Sequence, residues 1–339
     1  MRNLCPLLVV IVVALSGCGP ATMSASPTPL PPSSSPVALT KIRLPMGYIA
    51  NVQYAPFYVA VDKGYYAQEG IEIEFDYSFE TDGVKLVGAG ELPFAVVSGE
   101  QVVLARSQGL PVVYVMQWFH KFPIAVIGCG DTVLNSPEDL VGKTVGLPGF
   151  FGASFVGWRG LLYKAGIDPA KVTEQDIGFN QVAVCSQKRA QVVVGYANNE
   201  PIQLRNAGLQ PSVLLVSDYV NIVANGLMTN EKTIQEQPQL VQGMVRATLR
   251  GLRDTIEKPD EAFEIAKKFV PGLGHENVQV QRQVLDESIK MWRSDKLGMS
   301  DPAAWETTAD VLMQMGQITT RPDVNKLFTN AFVENAGVD

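Results

Sequence analysis

Lys41-Ile-Arg-Leu-Pro-Met-Gly-Tyr48, Asn51-Val-Gln-Tyr-Ala-Pro-Phe-Tyr-Val-Ala60, Lys63-Gly64 and Ile71-Glu-Ile-Glu-Phe-Asp-Tyr77 stand in succession and decide the fold class. The first segment alternates enough to read as a strand. A loop at Ile49–Gln53 follows, then a helical stretch from Ala55 to about Asp62, which a cation and a glycine terminate at Lys63-Gly64. Ile71–Tyr77 is a period-two strand with its apolar residues on odd positions. Strand, helix and strand within 37 residues is the unit of an α/β protein.

The same alternation continues outward. Thr81-Asp82-Gly83 opens a short helix, Phe94–Val97 is a buried strand, and Ser98 caps a helix near Glu100–Arg106. Val112–Met116 and Ile124–Ile127 are further buried strands. A second block repeats the pattern: a short helix at Ser136–Leu140, a strand at Thr144–Leu147, and the turn Pro148-Gly-Phe-Phe-Gly-Ala-Ser154 leading into a helix to Ala165. Ile177–Phe179 reads as a strand, Gln181–Arg189 as a helix, Gln191–Tyr196 as a strand, and Asn198–Pro201 as a helix start. Val213–Val216 and Ile222–Met228 complete the strands. The rest is helical: Pro238–Lys258, Asp260–Phe269, Asn277–Met291, Asp301–Met315 and Val324–Phe332.

Lys41 to Asp339 is 299 residues, too many for one small core. The expected architecture is two α/β lobes built on parallel sheets, with a ligand cleft between them and a helical C-terminal tail. Lobe 1 is expected at 41–126 plus 228–339 and lobe 2 at 127–227, with hinges near Ile127 and Val223. In such sheets ligands lie beyond the carboxyl ends of strands. The loops of interest are therefore 48–54, 80–83, 98–100, 117–122, 149–154, 196–201 and 218–225.

Arg2-Asn3, the apolar run Leu4–Leu15 and the small residues Ser16-Gly17 have the order of a secretory signal, over 1–17. The run is too short for a durable membrane span. Leu15-Ser16-Gly17-Cys18 resembles a bacterial lipobox, in which Cys18 is lipidated and becomes the first mature residue; the alternative is a plain signal peptide cleaved nearby, with Cys18 an ordinary thiol. Residues 18–40, rich in Pro and Ser and without charge, read as an extended tether. The chain is expected on the extracytoplasmic face of the cell membrane.

The formal charge is −7, and becomes −8 when Arg2 leaves with the signal, so nucleic acid is not the expected partner. Of four cysteines, Cys129 and Cys185 remain in the body, either paired or as two buried thiols. His120 and His275 are the two histidines, and no metal-ligand spacing exists. Gly149–Ser154 lacks the lysine of a phosphate-binding loop, and no Gly-x-Ser-x-Gly accompanies His120. The Glu72/Glu74 pair sits on the solvent face of a strand.

The ligand-end loops instead hold aromatic and neutral polar side chains, with few lysines or arginines. Tyr48, Trp118, Phe151 and Tyr196 are the candidates for stacking on a planar ligand, with Tyr54 beside them. Asn51, Ser154, Glu200 and Asp218 are the candidates for reading its polar edges. Phe57, Tyr65 and Phe94 are read as core.

Asn51–Ala60 and Lys63-Gly-Tyr-Tyr-Ala-Gln-Glu-Gly70 resemble the opening of the thiamin-pyrimidine-synthase-like family of periplasmic binding proteins. Gly149–Ser154, Asn199-Glu200-Pro201 and Asn225-Gly-Leu-Met-Thr229 sit where that family has similar motifs, and the resemblance spans 41–339. It implies the solute receptor of an ABC importer, closing on a small molecule and delivering it to a permease with its ATPase. Within the family the chain is most similar to binders of thiamin precursors and of riboflavin. The resemblance implies riboflavin as transported ligand, with a formylaminopyrimidine-type precursor as the alternative, and implies that Glu200 hydrogen-bonds a heteroaromatic ring. The family's enzymes, which form the thiamin pyrimidine from a pyridoxal cofactor, use a cysteine-rich motif and a histidine. Here Cys185 stands alone and an exported chain lacks the cofactor supply, so no cofactor and no catalysis are expected.

Overall fold

In the computed structural model the opening stretch becomes strand β1 (Thr40–Gly47), helix α1 (Ala55–Asp62), the short α2 (Tyr65–Gln68) and strand β2 (Ile71–Phe79). The structure describes residues 9–12, 39–275 and 277–338. The expected signal at 1–17, the lipid-bearing Cys18 and most of the tether at 18–40 lie outside the described residues. Residues 38–339 form one compact unit.

After β2 come α3 (Glu80–Gly88), β3 (Ala95–Ser98), α4 (Gly99–Ser107) and β4 (Val112–Gln117). The chain then enters a second sheet through β5 (Ile124–Gly128), β6 (Thr144–Leu147), α5 (Gly152–Lys164), β7 (Thr173–Asp176), α6 (Gln181–Ser186), β8 (Val192–Tyr196), α7 (Glu200–Asn206) and β9 (Val213–Leu215). It returns through β10 (Asn225–Asn230) and closes with helices α8 (Glu231–Glu236), α9 (Pro238–Glu257), α10 (Pro259–Ala266), α11 (Val278–Trp292), α12 (Pro302–Gln314) and α13 (Ala331–Glu334).

The first lobe holds the parallel pair β1-β2 and, packed beside it, the sheet β3-β10-β4. The second holds the five-stranded sheet β7-β6-β8-β5-β9. Of these sheets only the β1-β2 pair is wholly parallel; the three-stranded sheet is antiparallel and the five-stranded sheet is mixed. β10 runs antiparallel to β3 and β4, and β5 antiparallel to β8 and β9. The reason is the double crossing: a strand arriving from the other lobe enters its sheet from the cleft side, against strands that end there. Pairing also moves both expected lobe limits, because Ile124–Val126 pair in the second sheet and Asn225–Leu227 in the first. Ile127 thus lies within β5, while Val223 does fall between β9 and β10.

Three local expectations fail. The strand expected at Ile177–Phe179 lies instead at Thr173–Asp176, an edge strand too polar to show an apolar period. Residues 222–224 precede their strand. The expected helix Val324–Phe332 is a single tight turn at Val324–Lys326, a bridge from Phe328 to Tyr114, and α13. Phe328 is stacked on Trp305, and packing of that ring takes precedence over helical continuity.

The tail does more than cover lobe 1. α9 packs on α1, with Gly251 so close to Pro56 O that an added Cβ would lie 2.1 Å from it. α12 touches both α4 and α5, and α11 touches α7, so the tail bridges the lobes behind the cleft. The crossings are tied together where the Trp118 and Phe119 N–H groups donate to Asn225 O at 2.9 and 3.0 Å. Cys129, just beyond β5, is bonded to Cys185 in α6, which resolves the two readings left open by their apolar surroundings. Among the described residues no helix is long and apolar enough to cross a membrane.

Candidate functional site

Where the strands of both lobes end, a cleft lies between them, spanning about 1060 Å³ when the open solvent at its mouth is counted. Lobe 1 lines it from the ends of β1, β2 and β4, lobe 2 from the ends of β6, β7 and β8. Among the described residues that line it there is no lysine, arginine or histidine.

Seven of the nine sequence candidates line this cleft: Tyr48, Tyr54, Trp118, Phe151, Ser154, Tyr196 and Glu200. They do not act alike. Trp118 and Tyr54 are buried and stacked on each other, with centroids 5.4 Å apart, so they form a packed wall. Phe151 is 55% exposed at the mouth, together with Phe179 at 55% and Phe79 at 60%. Tyr48 meets Phe179 edge-on at 5.5 Å, which brings the two lobes into aromatic contact. Three large apolar rings left in water at one opening are an unpaid apolar surface that a planar ligand would cover. Burial, and then the Glu200 carboxylate, push the Tyr48 hydroxyl up to about 12, so it stays a neutral donor.

Asn51 and Asp218 are not among the lining residues. The Asn51 side chain is committed to the backbone, its Oδ1 accepting from Gln53 N–H at 3.0 Å in an N-cap. Asp218 is exposed, in the tight turn Val216–Asp218 after β9. Both look like edge-readers in sequence because cap and turn residues have the same chemistry as ligand-reading ones. His120 has no place in the cleft lining, and its ring reaches Lys296 O at 3.1 Å.

Glu200 is the first residue of α7, where the preceding Asn199 and following Pro201 favour a helix start. Its side chain folds back so that Oε2 accepts from Tyr196 N–H at 2.6 Å, while Oε1 accepts from Asn199 Nδ2 at 2.9 Å. Only a glycine at 195 permits this, since a Cβ there would lie 2.6 Å from Glu200 Oε2. Burial pushes the carboxyl up to about 7, against the hydrogen bonds that favour its charge. The group therefore sits near the point of ionisation, able to accept or donate a hydrogen bond.

Sequence reading missed several polar liners. Gln181 heads α6, with its amide donating to Val194 O, and Gln53 accepts from Asn198 Nδ2 at 2.7 Å across the lobes. Asn225 Oδ1 lies 3.5 Å from the Tyr196 hydroxyl. Most notable is Glu80, first residue of α3, whose Oε1 accepts from both the backbone N–H and the hydroxyl of Ser98. Ser98 in turn contacts Glu100, which is fully buried. The only sequence signal for this group was position at strand ends.

This is the geometry of a two-lobed periplasmic-binding-protein fold, and the chain belongs to the NMT1/THI5-like family, which it matches over residues 51–262. Among named relatives it is 42% identical to the riboflavin-binding protein RibY of Chloroflexus aurantiacus, over 96% of this chain and 95% of that one. It is 29% identical to a formylaminopyrimidine-binding protein of Halalkalibacterium halodurans, over 81% and 85% of the two chains. In fold it is similar to the periplasmic sulfonate-binding protein SsuA of Methylobacillus flagellatus, at a TM-score of 0.67 and 14% identity, covering 88% and 94%.

Proposed function

We propose that this chain is the solute-binding subunit of an ABC importer, that it binds riboflavin in the cleft and that it delivers it to a membrane permease and its ATPase. The chain is a binding protein, not an enzyme. The observation that carries the ligand reading is the cleft lining itself: aromatic rings from both lobes, amides and carboxyls, and, among the described residues, no cation. A sulfonate or nitrate has no counter-charge there, whereas an uncharged tricyclic ring with a polyol chain finds stacking faces and hydrogen-bond partners. The 42% identity to a riboflavin-binding protein supports the same choice. A smaller thiamin-pyrimidine precursor is the second reading, favoured by the relative that binds formylaminopyrimidine.

In this reading 1–17 is a signal, Cys18 bears the lipid, and 18–40 holds the body at the outer face of the membrane near its permease, which raises local concentration there. The lobes move on the crossing segments between β4 and β5 and between β9 and β10. Titration of the purified body with riboflavin and with formylaminopyrimidine decides the ligand. Riboflavin binding with a Kd of about 1 μM or below supports the first reading; tight binding of the pyrimidine alone replaces it with the second. Incorporation of labelled palmitate into wild type but not Cys18→Ala tests the anchor.

A further inference from the structure

Ser98 has one hydroxyl proton and two carboxyls within reach. Its Oγ lies 2.7 Å from Glu80 Oε1 and in close contact with Glu100 Oε1. One hydroxyl cannot donate to two carboxylates, so one carboxyl must bring a proton of its own and donate it to Oγ. Glu80 Oε1 already accepts from the Ser98 backbone N–H, which suits an anion. Glu100 is fully buried; among the described residues its Oε2 has no hydrogen-bond partner, and its Oε1 has only a long contact from Gln101 Nε2 at 3.3 Å besides Ser98. An ionised Glu100 would be an uncompensated buried charge beside another carboxylate. The other titratable groups acting around the pair, Tyr54, Tyr114, Tyr196 and, through Tyr196, Glu200, supply no cation. Burial and then Glu80 push Glu100 up to about 8, in the same sense as the proton count.

Glu80, unlike Glu100, lines the cleft, and no protein donor among the described residues reaches its Oε2. We propose that Glu80 is a specificity-determining acceptor for a hydroxyl or ring N–H of the ligand, and that Glu100 is a positioning residue that holds the shared proton behind Ser98 and keeps Glu80 the single anion of the pair. The ligand class this selects is a neutral, donor-rich molecule such as a polyol-bearing heteroaromatic. The inference rests on the flavin reading of the cleft, but its proton arrangement is a property of the ligand-free protein.

Two measurements separate them. Infrared spectra of the ligand-free protein, in a Glu200→Gln background that silences the buried cleft carboxyl of lobe 2, should show a protonated-carboxyl stretch at about pH 7 that Glu100→Gln removes. Riboflavin titration of single variants against wild type should find Glu80→Gln at least about tenfold weaker. Glu80→Asp, which keeps the charge and withdraws its reach, should show the same loss if Glu80→Gln folds poorly. A carboxyl band that survives Glu100→Gln, or a Glu80→Gln protein that binds as tightly as wild type, overturns the proposal. A wild-type protein that ignores riboflavin while the band behaves as stated overturns the flavin reading and leaves the proton arrangement standing.

Discussion

Glu100→Gln should change how stability depends on pH, and the size follows from the site. The folded carboxyl lies at about 8 against an ordinary 4.5, a gap worth roughly 4–5 kcal/mol at about 1.4 kcal/mol per unit. The sign is fixed by which state holds the proton. Between the two values the folded protein keeps it and the unfolded chain releases it, so stability present at low pH is lost as pH rises through the folded value. Glutamine preserves the shape and the neutral charge and cannot titrate. Glu200, raised by burial, titrates in wild type and variant alike and largely cancels in the comparison; Glu80 shares Ser98 with Glu100 and titrates together with it, so the difference belongs to the pair. Urea unfolding at about pH 5 and about pH 9 should therefore show the variant gaining roughly 4 kcal/mol on wild type between the two conditions. Parallel stability curves, within about 1 kcal/mol across that range, would refute the buried neutral carboxyl.

Three further outcomes are expected. Glu200→Gln leaves one oxygen to meet both the Tyr196 N–H and the ligand, so riboflavin affinity measured by fluorescence quenching should fall at least about tenfold. Gly251→Ala drives a methyl against Pro56 O and Ala60 where α9 crosses α1, costing about 1–3 kcal/mol, seen as an earlier urea midpoint. Replacing Cys129 and Cys185 by serine frees a link across 56 residues of chain, with a loss of about 4 kcal/mol on the loop-closure account. An unchanged midpoint in either case would contradict the packing or the bond.

The elements that sequence made legible are those whose local chemistry and burial agree. α1 ends at Lys63-Gly64 with Gly64 in the left-handed conformation, and β2 keeps Glu72 and Glu74 in water opposite Lys41 and Arg43, as its period requires. β7 escaped notice because Thr173-Glu-Gln-Asp176 is an exposed edge with no apolar alternation to read. The direction of β10 escaped because a lone apolar run carries no mark of which way it enters a sheet. Glu200 stood out through Asn199-Glu200-Pro201, a local motif. Glu80 and Glu100 did not, because they are twenty residues apart and nothing but the fold brings them to one serine. Asn51 and Asp218 illustrate the converse, polar residues in the right loops that the backbone uses for a cap and a turn.

The central claim is that this cation-free aromatic cleft holds an uncharged flavin. Its most direct measurement is a side-by-side titration of residues 38–339, the compact body, with riboflavin and with its phosphate ester. Glu80 and the partly ionised Glu200 would face the phosphate without a counter-charge, and a repulsion of a few kcal/mol at an effective dielectric of about 20 is worth roughly a hundredfold or more. The account predicts tight, stoichiometric quenching of riboflavin fluorescence and binding of the phosphate ester weaker by about that factor. Equal affinity for the two, or no binding of riboflavin at all, would contradict it.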